Sequence, residues 1–85
     1  MEFHIDSNIK FENQKYQLEV DINATNYEEV VFIAIHELKL KLIQKFGIKK
    51  DNLSFIVNSF KLNTKDNKVN IKAKCNKFDD WEFVN

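Results

Sequence analysis

Residues 25–47 read TNYEEVVFIAIHELKLKLIQKFG. They decide the fold because they form the one long apolar run of the chain that does not alternate. At about 100° per residue, Tyr27, Val31, Ala34, Ile35, Leu38 and Leu42 share one stripe, the pattern of a helix packing one face on a core. Thr25 is spaced to cap the backbone N–H of Glu28 while the Glu28 carboxylate reaches back. Glu28 and Glu29 also lie at the positive end of the helix dipole. Gly47 supplies the left-handed residue that ends a helix, and Lys45 and Lys49 flank that end with favourable charge. A helix reaching about Phe46 spans about 30 Å.

The sequence on either side alternates with period two, the signature of half-buried strands. Met1, Phe3, Ile5, Ile9 and Phe11 share one phase with Ser7, against Glu2, His4, Asp6, Lys10 and Glu12. This is one strand, or two with a bend near Ser7-Asn8. Asn13-Gln14-Lys15 reads as a turn, and Tyr16, Leu18, Val20 and Ile22 form a second strand. Beyond the helix, Leu53, Phe55 and Val57 give a third strand. Its apolar phase then shifts to Phe60 and Leu62, which predicts a bulge near Asn58-Ser59. After a polar turn over Asn63–Asn67, Val69, Ile71, Ala73 and Cys75 alternate as a fourth strand. The tail Phe78-Asp79-Asp80-Trp81-Glu82-Phe83-Val84 reads as a short strand or a cover over a sheet edge.

The expected class is α+β: a two-layer ββαββ arrangement, one long helix on a four-stranded, mostly antiparallel sheet. The simplest crossover sets the third strand antiparallel beside the first, in the order 2-1-3-4. With 85 residues the chain has room for one domain, 1–85. A single Gly, no Pro and one Cys argue against flexible linkers and against a disulfide scaffold. No apolar run is long enough to span a membrane, and Met1-Glu2-Phe3-His4 lacks the basic start of a signal peptide, so a cytoplasmic location is expected.

The formal net charge of zero conceals a layout. Residues 1–37 sum to −6, residues 38–77 to +9, and residues 78–85 to −3. All 13 basic residues are lysine, so the arginine fork that reads guanine and phosphate is missing. The outward phase of the strands sets Glu2, His4, Asp6, Glu19 and Asp21 against Lys61, Lys65, Lys68, Lys72 and Lys74. The helix has a second apolar group, Phe32, Ile33, Leu40 and Ile43 around His36, on the side away from its main stripe. One sheet is not expected to cover both faces, which leaves this patch for the tail or for another chain.

Chemistry is sparse. His4, His36 and Cys75 form neither a CxxC nor an HxxxH pattern, so no metal site is expected. Cys75 shares a core phase and reads as an inert thiol. Ser7, Ser54 and Ser59 sit in no nucleophile elbow, and one glycine makes no phosphate loop, so neither an enzyme nor a cofactor is expected. Glu2-His4-Asp6 sets an imidazole between two carboxylates, a pattern that an ordinary solvated strand also shows.

The expected function is therefore non-enzymatic protein binding. Glu19, Asp21, Asp79, Asp80 and Trp81 are the candidate partner-binding residues, and Phe32, His36, Leu40 and Ile43 would pair two protomers as a homodimer. Lysine in place of arginine and the wealth of Asn, Ile and Phe resemble proteins of AT-rich genomes. With its size, missing catalytic groups and polarised charge, the chain resembles in type phage or mobile-element accessory proteins, including small anti-CRISPR-like inhibitors of host defence. The resemblance implies occlusion of a host effector. The alternative is a nucleic-acid or small-anion binder using Lys61, Lys65, Lys68, Lys72 and Lys74.

Overall fold

A computed structural model describes residues 1–48 and 53–77. Strand β1 (Glu2–Phe11) is continuous through Ser7-Asn8, and it pairs antiparallel with β2 (Gln14–Asn23) from Glu2 opposite Asn23 to Phe11 opposite Gln14. The turn lies one step earlier than expected, at Glu12-Asn13, with φ of 50° and 66°. Two consecutive left-handed residues give a two-residue hairpin the twist of its strands.

Across the sheet, β3 (Leu53–Asn63) and β4 (Lys68–Lys77) form a second antiparallel pair. The order is β2-β1-β4-β3, with β4 parallel to β1 from His4 opposite Lys68 to Phe11 opposite Cys75. This corrects the expected 2-1-3-4 order. The reason is the bulge, found where the phase shift placed it, between Val57 and Ser59. An extra residue disrupts a ladder, and bulges are over-represented at sheet edges, where a strand has one neighbour to match and not two. The unbroken β4, with Val69, Ile71, Ala73 and Cys75 all buried, takes the centre. Ile56 on β3 is left 52% exposed and Phe60 36%.

The chain crosses from the β2 edge to the β3 edge through a 3-10 turn (Tyr27–Glu29) and helix α1 (Val30–Phe46). Asn26, not Thr25, is the cap: its side-chain oxygen accepts from the Glu29 N–H at 3.1 Å. Glu29, not Glu28, returns the bond, accepting from the Thr25 N–H at 3.2 Å. The capping logic holds one residue later, because the 3-10 turn starts at Tyr27. Gly47 ends the helix at φ 63°, its N–H donating to the Ile43 carbonyl at 2.8 Å. No helix among the described residues is long and apolar enough to cross a membrane.

The fully buried ridge of α1 is Val30, Ala34, Leu38 and Leu42. A four-residue step overshoots a full turn by about 40°, so this ridge winds slowly around the helix and follows a twisted sheet diagonally. The straight stripe expected from the sequence is therefore corrected at its N-terminal end. Val30 replaces Val31 in the core, Val31 and Ile35 are half-buried, and Tyr27 is exposed except for an edge-on contact with Phe3, ring centres 5.8 Å apart. Phe46 closes the other end against Phe11 and Tyr16, at 5.2 and 5.1 Å. Opposite the helix ridge lie Phe3, Ile5, Ile9, Phe11, Val69 and Ile71. Ser7 shares this face, and its hydroxyl donates to the Leu18 carbonyl at 2.8 Å, so the buried oxygen is satisfied.

Candidate binding surfaces

With α1 on one side, the outward residues of all four strands form an open sheet face whose charges are sorted by strand register. One end is acidic. His4 lies directly opposite Asp21 on β2, one step from the Asp6–Glu19 pair. Its ring bridges two carboxylates, Nδ1 to Asp21 Oδ1 at 2.8 Å and Nε2 to Glu19 Oε1 at 3.3 Å. Only the imidazolium can donate both bonds, so the pKa of His4 is raised, first by the bond to Asp21 and then by that to Glu19. The sequence pattern had set His4 between Glu2 and Asp6. Its hydrogen-bond partners instead lie across the hairpin, and Asp6 accepts from Gln17 Nε2 at 3.2 Å. The register of a two-residue turn was the signal that would have found them.

This acidic end continues around the β2 edge onto the helix. Lys41 Nζ donates to the Glu19 carbonyl at 2.7 Å, tying α1 to β2. Between them lies a groove of about 560 Å³, lined by His4, Glu19, Asp21, Glu37, Leu40 and Lys41 among others. Two residue sets separated in the sequence reading thus meet: Glu19 and Asp21 from the partner-binding set, and Leu40 from the self-association set. On the outer helix face His36 is exposed and Phe32 is 75% exposed. Ile43 is half-buried and packs against the core, as does Ile33. Part of the second apolar patch is therefore covered by the domain's own core, and Phe32 is its exposed member. Asp79, Asp80 and Trp81 lie outside the described residues.

The lysines divide. Lys68 sits beside His4 at the acidic end, and Lys65 lies in the β3–β4 turn, its N–H donating to Asn63 Oδ1 at 3.0 Å. Lys61, Lys72 and Lys74 belong to the open face. They are joined by two lysines that sequence reasoning missed: Lys10 pairs with Lys15 across β2 and with Lys74 across β4. The missed signal was again register, since only strand pairing brings positions 10, 15 and 74 into one row.

Cys75 is buried on the helix side of the sheet, and burial pushes its thiol up to about 11. Such a thiol holds little thiolate and is a poor nucleophile at neutral pH. Among the described residues, no three His, Cys, Asp or Glu side chains converge as ligands of a metal ion would. Compared with protein families, curated proteins and solved structures, the chain matches none.

Proposed function

We propose that this protein is a non-enzymatic module that binds another protein along its β2–α1 side. The observation that carries this reading is the groove in which Glu19, Asp21 and Glu37 meet Leu40; the exposed ring of Phe32 stands elsewhere on the same helix. Carboxylates gathered beside an apolar side chain, with an exposed aromatic ring on the same helix, suit a partner with a basic, partly apolar surface. The carboxylates supply orientation and association rate, and the ring supplies buried area. Acting by occlusion, as a cytoplasmic phage or mobile-element inhibitor of a host effector would, is the form that fits the small size and polarised charge. With Ile33 and Ile43 packed on the domain's own core, the outer helix face offers a second copy little apolar area beyond Phe32, so Phe32 is assigned to the partner interface and the free protein to a monomer.

The test is affinity capture from lysate of the native host with wild type, Phe32→Ser, Glu19→Gln/Asp21→Asn and, as a control, Lys10→Gln/Lys74→Gln. One captured protein, lost with the first two variants and kept with the third, is the expected result. Capture indifferent to Phe32, Glu19 and Asp21, or the lack of any captured protein, overturns the reading. Light scattering on a sizing column should give a monomer mass at low and high salt. A salt-independent dimer lost on Phe32→Ser would return this face to self-association.

A further inference from the structure

At the end of the open face away from His4, Lys15, Lys10 and Lys74 stand side by side on three adjacent strands, β2, β1 and β4. Neighbouring strands are about 4.8 Å apart, so three positive charges are rooted within about 10 Å. Lys72, two residues along β4 on the same face, makes a fourth. Like charges directly opposite each other oppose strand pairing, and a sheet usually relieves them with an interleaved acid. Here none does so. The ion pairs among the described residues are His4 with Glu19 and Asp21, and Lys77 with Glu12 at 3.2 Å. None of Lys10, Lys15, Lys72 and Lys74 is in an ion pair with another described residue.

The surface beside these lysines is hollow. A depression of about 430 Å³ is lined by Asn8, Ile9, Lys10, Lys15, Asn58, Lys72 and Ala73. A second, of about 230 Å³, shares Asn8 and Lys72 and continues to Ser59, Lys61 and Asn70. Asn58 is the extra residue of the β3 bulge, so the irregularity that sends β3 to the edge also adds an amide to the depression. Together the two hollows make a shallow trough running obliquely from Lys15 on β2 to Lys61 on β3. Its walls carry ammonium groups, amides and a hydroxyl, the donors that phosphate oxygens accept from.

We infer that this trough binds the phosphate backbone of single-stranded nucleic acid, with Lys10, Lys15 and Lys72 of its lining and Lys74, opposite Lys10 at its rim, as the principal contacts. Charges rooted across three strands suit successive phosphates better than one small anion. A trough within the width of one sheet admits a single strand rather than a duplex. No Phe, Tyr or Trp stands on the open face among the described residues, so bases find no stacking platform and binding should not select among them. This inference goes beyond the protein-binding reading and uses a different part of the surface.

Fluorescence anisotropy with labelled oligothymidylate, measured across a salt series, tests it. Four phosphate contacts predict a slope of about −2.8 in log affinity against log salt, so a fourfold rise in salt weakens binding about fiftyfold. Lys10→Gln/Lys74→Gln should halve the slope to about −1.4, reducing that loss to about sevenfold. Lys15→Gln/Lys72→Gln should do the same and serves if the first pair fails to fold. Lys65→Gln/Lys68→Gln should leave the slope unchanged, as should Glu19→Gln/Asp21→Asn, which separates this site from the protein-binding groove. Oligoadenylate should bind as well as oligothymidylate. The inference is overturned if wild type does not bind, if both trough variants keep the full slope, or if inorganic phosphate displaces the oligonucleotide as readily as the oligonucleotide displaces itself.

Discussion

Val30 and Val31 are adjacent, chemically identical and both helical, yet the structure buries the first completely and the second only in part. Replacing each with alanine isolates the packing direction of α1. Val30→Ala removes about 1.6 kcal/mol of transfer free energy, at about 0.8 per buried carbon. The cavity left against a rigid core adds roughly 1 kcal/mol. Alanine's better helix propensity returns about 0.5 kcal/mol. The net loss is about 2 kcal/mol. At Val31 up to about a third of the transfer term is already absent, no cavity term is added, and the propensity gain is the same, so the net loss is about 0.5–1 kcal/mol. Total stability for a chain of this length is about 4–13 kcal/mol, so the first loss is easily read. Urea unfolding followed by helical circular dichroism is the assay. With a slope of about 1 kcal/mol per molar, Val30→Ala lowers the midpoint by about 2 M and Val31→Ala by about 0.5–1 M. Equal losses, or a larger loss at Val31, would refute the diagonal ridge and restore the straight stripe.

Three further outcomes are expected. Asn26→Ala should destabilise the fold by about 1 kcal/mol, whereas Thr25→Ala, which keeps the backbone N–H that Glu29 accepts from, should cost much less; the reverse order in urea melts would return the cap to Thr25. Because the His4 pKa is raised above 6.5 in the folded protein, its contribution to stability is full below about pH 6.5 and is lost as the pH rises through the folded value. His4→Gln should abolish that component, and an imidazole NMR titration with its midpoint at or below the ordinary value would contradict it. Cys75, with its thiol pushed up to about 11 by burial, should react slowly with a thiol reagent at about pH 8 in the native state and quickly in urea. Fast native labelling would place the thiol outside the core.

Most of the architecture was legible in local patterns because each pattern reports a local force. Alternation in Phe3–Phe11 and Val69–Cys75 marks strands that bury one face. Gly47 marks the helix end because its left-handed turn suits a residue without a Cβ. The phase shift between Val57 and Phe60 announced the bulge. The shift of the cap from Thr25 to Asn26 was harder to see, since Asn26 followed by Glu29 carries the same spacing as Thr25 followed by Glu28. The surfaces were less legible. Phe32 could be named as an outward apolar residue, but the joining of Glu19 and Asp21 with Leu40 in one groove depends on where the helix lies over the sheet.

The sequence by itself determined which residues alternate, where the helix begins and ends to within a residue or two, and where β3 must bend. These are consequences of side-chain period, capping chemistry and backbone freedom, all settled within a few neighbouring residues. Tertiary structure alone decided that β4 and not β3 lies beside β1, which turn of α1 enters the core, and which charges meet. Strand neighbours are chosen by competition among whole edges for burial and unbroken hydrogen bonding. No local pattern contains that comparison, and so Lys10, Lys15 and Lys74 become one row only after the sheet has assembled.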